Sequence, residues 1–159
     1  MEDVIKIASY IVSRYQNEYG SCMDEMKLHK LLYFTQRESI IQTGTPLFDT
    51  AFEAWKYGPV LVEIRRYYKN NLLKVELPAD KIEQYQPIFD KVFQQYASKD
   101  SWSLSTITHG EYSWQNARKG VSEKENSSNK MQIDDIRKDA ERIRLRRFIL
   151  RKMKMLDSK

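Results

Sequence analysis

The stretch MKLHKLLYFTQ, residues 26–36, constrains the fold more than any other. It sits in a predicted helix running from Asp24 to about Ile41, with Leu28, Leu31, Leu32 and Thr35 marking its inner face. So dense a run of apolar residues has no place on a surface helix, so this element belongs at the centre of whatever surrounds it. His29 falls beside Tyr33 at i+4 and Met26 at i−3. That places it at the edge of the buried face, where its ring can take a polar partner.

The surrounding chain supplies wrapping elements. Val4, Ala8, Ile11, Val12 and Tyr15 form one stripe of a helix over residues 3–18, with Asp3 as its cap and Gly20 past its end. Gly44 and Pro46 turn the chain. Residues 50–57 predict a short strand, with Trp55 and Tyr57 on one side and Lys56 on the other, stopped by Gly58-Pro59. A helix follows Pro59 and ends near Asn70-Asn71, and residues 72–77 predict a short edge strand closed by Pro78. Pro87 is predicted to start a helix reaching Ala97. Two short helices follow, "WSLSTITH" capped by Ser101 and "SWQNARKG" ending at Gly120. The expected fold is mainly α: a compact helical domain over 1–120 with a small β element, a polar linker or loop over 121–132, and an amphipathic basic C-terminal helix over 133–156.

A chain of 159 residues fits one domain with an appendage. It holds a single cysteine, Cys22, so no intrachain disulfide forms and an intracellular, cytoplasmic setting is expected. The start, "MEDVIKIASY", reads as neither a signal peptide nor a membrane span. The net charge of +5 is unevenly placed. Residues 133–159 hold 10 basic and 5 acidic side chains, so the remainder balances at 17 of each. The charge therefore speaks for the last segment alone, which favours an anionic partner.

Catalytic signatures are missing. Two histidines, His29 and His109, and one cysteine make no HExxH, CxxC, GxSxG or P-loop. No catalytic residue, metal ligand or cofactor is expected, although the two histidines would suit acid–base work if they met in space. The Trp55–Tyr57 turn reads as a structural corner, or as a rigid aromatic shelf that also meets a partner.

The last segment carries two apolar stripes. Ile133, Ile136, Ala140 and Ile143 form one that can dock on the body. Leu145, Ile149 and Leu156 lie about half a turn away, opposite a basic stripe of Arg144, Arg147, Arg151 and Lys154. One straight helix cannot bury both apolar faces in one groove. It kinks, or its second half meets something other than its own body. Three readings stay open: a solvated helix with snorkelling arginines, a helix laid in a partner's groove, or a nucleic-acid or membrane-surface contact.

Three ordered segments resemble the Panacea domain family, also called SocA-like or phage-associated GepA-like. The first is Leu28, Lys30, Leu31, Leu32, Tyr33, Phe34 and Gln36; the second is Phe48, Ala54, Trp55, Gly58, Pro59 and Val60. The third is Thr108, His109, Trp114, Ala117 and Arg118, and the resemblance runs from about residue 3 to 120. Ser113 stands where many members carry Pro, and Ile107 replaces a leucine. The resemblance implies an antitoxin of a bacterial or prophage toxin–antitoxin system, with no accepted catalytic site. It implies neutralisation by direct binding of a cognate toxin encoded next to it, and for the family's namesake an adaptor role toward the ClpXP protease. Expected toxin contacts are Trp55, Tyr57, His109, Trp114, Arg144, Leu145, Arg147, Ile149, Arg151 and Lys154. A homodimer is a further arrangement to test, and a nucleic-acid-binding transcriptional regulator acting through the basic segment is the alternative function.

Overall fold

The computed structural model describes residues 1–157. Helix α1, Val4–Tyr19, is capped by the Asp3 carboxylate, which accepts from Ile5 N, and closes on Gly20 in the left-handed region. Helix α2, Glu25–Thr43, is capped by Asp24 accepting from Lys27 N and ends at Gly44. Every residue from Lys27 to Ile40 is buried. The helix is thus surrounded on all sides, and the single inner face expected from Leu28, Leu31, Leu32 and Thr35 is only part of the buried surface.

Burying a helix all round requires each of its polar side chains to find a partner. The Gln36 amide reads the Leu47–Phe48 turn: Nε2 donates to Phe48 O and Oε1 accepts from Leu47 N at 2.7 Å. Lys27 Nζ donates to Ala97 O, and Ser39 Oγ to Thr45 O. Leu28, Leu31, Leu32, Phe34, Phe48, Phe52 and Phe89 fill the space between these ties.

The β element is one antiparallel hairpin, β1 Glu53–Trp55 and β2 Gly58–Val60, in register Glu53↔Val60 and Trp55↔Gly58. This corrects two expectations. Gly58 and Pro59 continue the ladder instead of stopping it, because Pro59 faces Ala54 as the second, short strand. Residues 72–77 make no strand: the segment is irregular, pinned by buried Leu73 and Leu77 and by Val75 N donating to Ser9 Oγ.

Helix α3, Val62–Lys69, leaves the hairpin directly. Helix α4 begins at Ala79, eight residues before Pro87, and runs through that proline to Val92, continuing as a π-helical turn over Phe93–Ala97. Contacts on both sides of the proline hold the helix together: Tyr85 Oη donates to Glu2 before it, and Ile88, Phe89 and Val92 are buried after it. Helix α5, Ser101–His109, is capped by Asp100, while Ser101 Oγ donates to Asp24. Helix α6, Tyr112–Ala117, is followed by the polar stretch 121–132, which is tied to the body. Its backbone runs along the free edge of β1, with Ala54 N donating to Asn129 O and Met131 N to Phe52 O.

Helix α7, Ile133–Asp157, is a single 25-residue element. No described helix is long and apolar enough to cross a membrane.

Candidate functional site

The three sequence motifs meet at the hairpin. Its outward carbonyls each receive a donor from a motif side chain. Arg118 Nη1 donates to Ala54 O at 3.1 Å, Trp114 Nε1 to Trp55 O at 2.9 Å, and Lys30 Nζ to Pro59 O at 3.1 Å. Ser105 Oγ adds a fourth, to Tyr57 O at 2.6 Å. Gly58 has φ +117° and lets this harness close: a Cβ there would stand 2.6 Å from both Lys30 Cε and Thr108 Oγ1. The spacing of the motifs is therefore the spacing of a tripod that fixes two residues, Lys56 and Tyr57, at its tip.

Tyr57 lies in the turn and Trp55 in the strand, so the two rings do not share a strand face as expected. They still flank one opening. Tyr57, 45% exposed, packs edge-on against Trp102 with centroids 5.2 Å apart. Trp55 lies under the Arg65 guanidinium at 5.4 Å and donates through Nε1 to Glu53. Between them opens a pocket of about 460 Å³ lined also by Glu25, Met26, His29, Lys30, Lys56, Val60 and Asn126.

The electrostatics of this pocket follow from burial. His29 Nδ1 accepts from Leu61 N, so its proton is on Nε2, which donates to Glu25 at 2.9 Å. Burial holds the His29 imidazole below its ordinary pKa despite that carboxylate, and it stands neutral. Burial alone would raise Glu25, but His29 and Arg65 outweigh it and hold the carboxylate below its usual range. Lys30 is 1% exposed, makes no ion pair among the described residues, and is pushed by burial down to about 7 against the pull of Glu25 and Asp24. His109 stacks on Trp114 at 4.2 Å and is also held below its ordinary value by burial; its Nε2 has no hydrogen-bond partner among the described residues. Each histidine is thus tied into its own motif. Among the described residues no group of three His, Cys, Asp or Glu side chains could hold a metal ion.

A second polar cluster docks α7. Asp139, 1% exposed, accepts from Tyr112 N, Ser113 N and Tyr33 Oη. Glu111 receives Arg37 and Arg142, and burial with Asp139 nearby raises its carboxyl above the ordinary range against the charge of Arg37. Ile136 and Ala140 pack beside this cluster, and Arg147 closes it with a bidentate pair to Glu38 at 2.7 and 2.9 Å.

Beyond Arg147 every described residue of α7 is exposed. Leu145, Phe148, Ile149, Met153 and Leu156 are 48–69% exposed. At about 100° per residue they form one stripe, half a turn from Ile136 and Ala140. The helix does not break between its two faces; its second half stands uncovered. The basic stripe is partly spent within the chain, since Arg147 pairs with Glu38 and Arg144 with Glu141 at 3.2 Å. The expected contacts thus fall into two places. Trp55, Tyr57, His109 and Trp114 gather at the hairpin; Arg144, Leu145, Arg147, Ile149, Arg151 and Lys154 lie along α7. Sequence reasoning missed Phe148 and Met153, although their spacing of i+3 and i+8 from Leu145 was readable. It also gave Lys30, Ser105 and Arg118 no role, since a bond to a distant carbonyl leaves no local pattern.

Comparison with known proteins bears on the motif region. The family model described as "Antitoxin SocA-like, Panacea domain" matches residues 28–115, more than half of the chain. Antitoxin SocA of Caulobacter vibrioides (strain NA1000 / CB15N) is 39% identical over 49 residues, 31% of this chain and 26% of that protein. The match therefore spans about a quarter of the relative's length. No solved structure matches. The matched residues run from α2 through the hairpin into α6 and include three of the four harness donors, Lys30, Ser105 and Trp114, with Arg118 just past them, and the chain belongs to the SocA-like antitoxin family with its Panacea domain.

Proposed function

We infer that this protein is an antitoxin that neutralises a cognate toxin by holding it, without a chemical step of its own, and that the outward half of α7 is the principal grip. The observation that supports it is the stripe Leu145, Phe148, Ile149, Met153 and Leu156, uncovered and directed away from the docked face. An amphipathic helix of this kind lays its apolar side in a partner's groove. The flanking cations Arg144, Arg146 and Arg151 select a groove with an acidic rim and work against pairing with a second copy. They also match nucleic acid, but the ion pairs of Arg144 and Arg147 reduce the charge left for phosphates. The hairpin aromatics Tyr57 and Trp102 offer a second, smaller contact. The setting is the cytoplasm, where the toxin is made, and delivery of the held toxin to a ClpXP-type protease is compatible with this reading.

The test is co-expression with the product of the adjacent open reading frame, reading growth and co-purification. The neighbour is expected to arrest growth alone and to be harmless, in one complex, with this chain. Leu145→Glu with Ile149→Glu is expected to abolish rescue and co-purification while thermal unfolding stays within a few degrees of the parent. A harmless neighbour, or rescue unaffected by the double substitution, overturns the respective part.

A further inference from the structure

The pocket beneath the hairpin holds a feature that toxin binding by α7 leaves unused. Lys30 is a fully buried amine on the central helix, and in its ammonium form it spends one of three donors, on Pro59 O. That bond needs only a neutral N–H donor, so it does not by itself call for a cation in a place where charge is costly to desolvate. The harness therefore explains the position of the side chain but not its charge. Lys56 and Arg65 add two more cations to the pocket wall, against one carboxylate, Glu25, which His29 and Arg65 already engage. Trp55 and Tyr57 supply aromatic walls, and the volume of about 460 Å³ lies in the range of small-molecule sites.

We propose that this pocket binds a small organic anion with a flat body, its carboxylate or phosphate paired to Lys30 and its ring laid between Trp55 and Tyr57. Buried opposite charge is what a buried, unpaired cation lacks, and an aromatic slot orients a planar ligand. The binding carries a proton. The groups facing Lys30 are Asp24 at the cap of α2, Glu25 and His29 on α2, Lys56 on the hairpin, Arg65 on α3 and His109 on α5. Burial keeps both histidines neutral across pH 7, and Glu25 stays ionised, so Lys30 is the group that titrates there. The anion takes the ammonium form, and binding near pH 8 draws a proton from buffer.

The site is separate from the α7 grip, so the measurement uses the free full-length protein and stands whether or not a toxin is found. Benzoate is titrated calorimetrically, with benzamide as the uncharged analogue and inorganic phosphate as the bare anion. Saturable benzoate binding is expected, about tenfold weaker at pH 8 than at pH 6, with proton uptake at the higher pH and no binding of benzamide. Lys30→Met is expected to lose at least tenfold in affinity and the pH dependence with it. Should that variant not fold, Lys56→Ala with Arg65→Gln, on the exposed wall, is expected to weaken benzoate severalfold. Independently of any variant, the Lys30 side-chain nitrogen resonance in the parent is expected to shift its titration midpoint upward with benzoate. No saturable binding of benzoate or phosphate overturns the proposal. So does benzoate binding that ignores pH and survives the loss of Lys30, or a midpoint that benzoate leaves in place.

Discussion

Lys30 shows how one residue carries two opposed demands. Its bond to Pro59 O helps fix the hairpin, at a net worth of roughly 1 kcal/mol for such a bond. Its buried charge works the other way. Folding lowers its pKa from the ordinary lysine range to about 7, so above pH 7 the unfolded chain holds a proton that the folded chain has released. Stability then rises with pH across that window, by about 2 kcal/mol between pH 7 and pH 9. The gain ends near the unfolded value, and above it the raised pKa of buried Tyr33 turns the slope downward, because the unfolded chain ionises first. Urea denaturation of the parent at pH 7 and pH 9 is expected to show this rise; Lys30→Met is expected to flatten it. A parent whose stability is level over that range would mean that the ammonium is not desolvated. Gly58 belongs to the same scale. Its left-handed φ was legible in the Gly-Pro of the sequence as a turn, but the reason only Gly fits is the approach of Lys30 and Thr108, from 28 residues before it and 50 after.

At the scale of elements, periodicity revealed what lies on one face and failed where a helix is buried on all of them. The α1 stripe and both α7 stripes were readable, because each has a polar opposite side. Helix α2 has none, and its buried Lys27, Lys30, Arg37 and Glu38 look like a solvent face until their partners on other elements are known. Pro87 misled for a related reason: the local cost of a proline inside a helix, roughly 3 kcal/mol, is outweighed by contacts on either side of it. The docking of α7 rests on the same kind of distant pairing. Asp139 satisfies Tyr112 N, Ser113 N and Tyr33 Oη in a place closed to water. Asp139→Ala leaves Tyr112 N and Ser113 N without their acceptor, while Tyr33 Oη keeps Glu111, and removes a carboxylate that faces Arg37 and Arg142, a loss of about 3 kcal/mol. The loss is expected to be local. Amide hydrogen exchange should rise throughout α7 and in α6 while the amides of α1 and the middle of α2 stay protected; uniform loss of protection would mean that α7 is an integral part of the core.

Taken whole, the molecule separates a rigid centre from an outward arm. The family match covers α2 through most of α6, where the motifs lock the hairpin by side-chain bonds to its own carbonyls, and it stops before α7. That division accounts for what the sequence revealed of the candidate site. The hairpin corner could be read because its residues form a pattern. The arm's exposed stripe could be read only as an unresolved second face, since nothing in one chain says what covers it. It also gives the toxin complex a physical signature. The chain outside residues 133–159 is formally neutral, so the net +5 lies with the segment proposed to make the toxin contact. Charges around an apolar stripe act chiefly on the encounter, and the stripe on the residence time. Raising salt from about 50 to 500 mM shrinks the Debye length from about 14 to about 4 Å and is expected to slow association with the toxin about tenfold while dissociation changes by less than twofold. Arg146→Ala with Arg151→Ala should mimic the salt effect, and Phe148→Ala should instead speed dissociation at least tenfold with association nearly unchanged. Stopped-flow association and surface-immobilised dissociation separate the two. If salt and the arginine changes act on dissociation, the cations are buried in the contact, and the grip lies on the basic side of α7 instead of its apolar stripe.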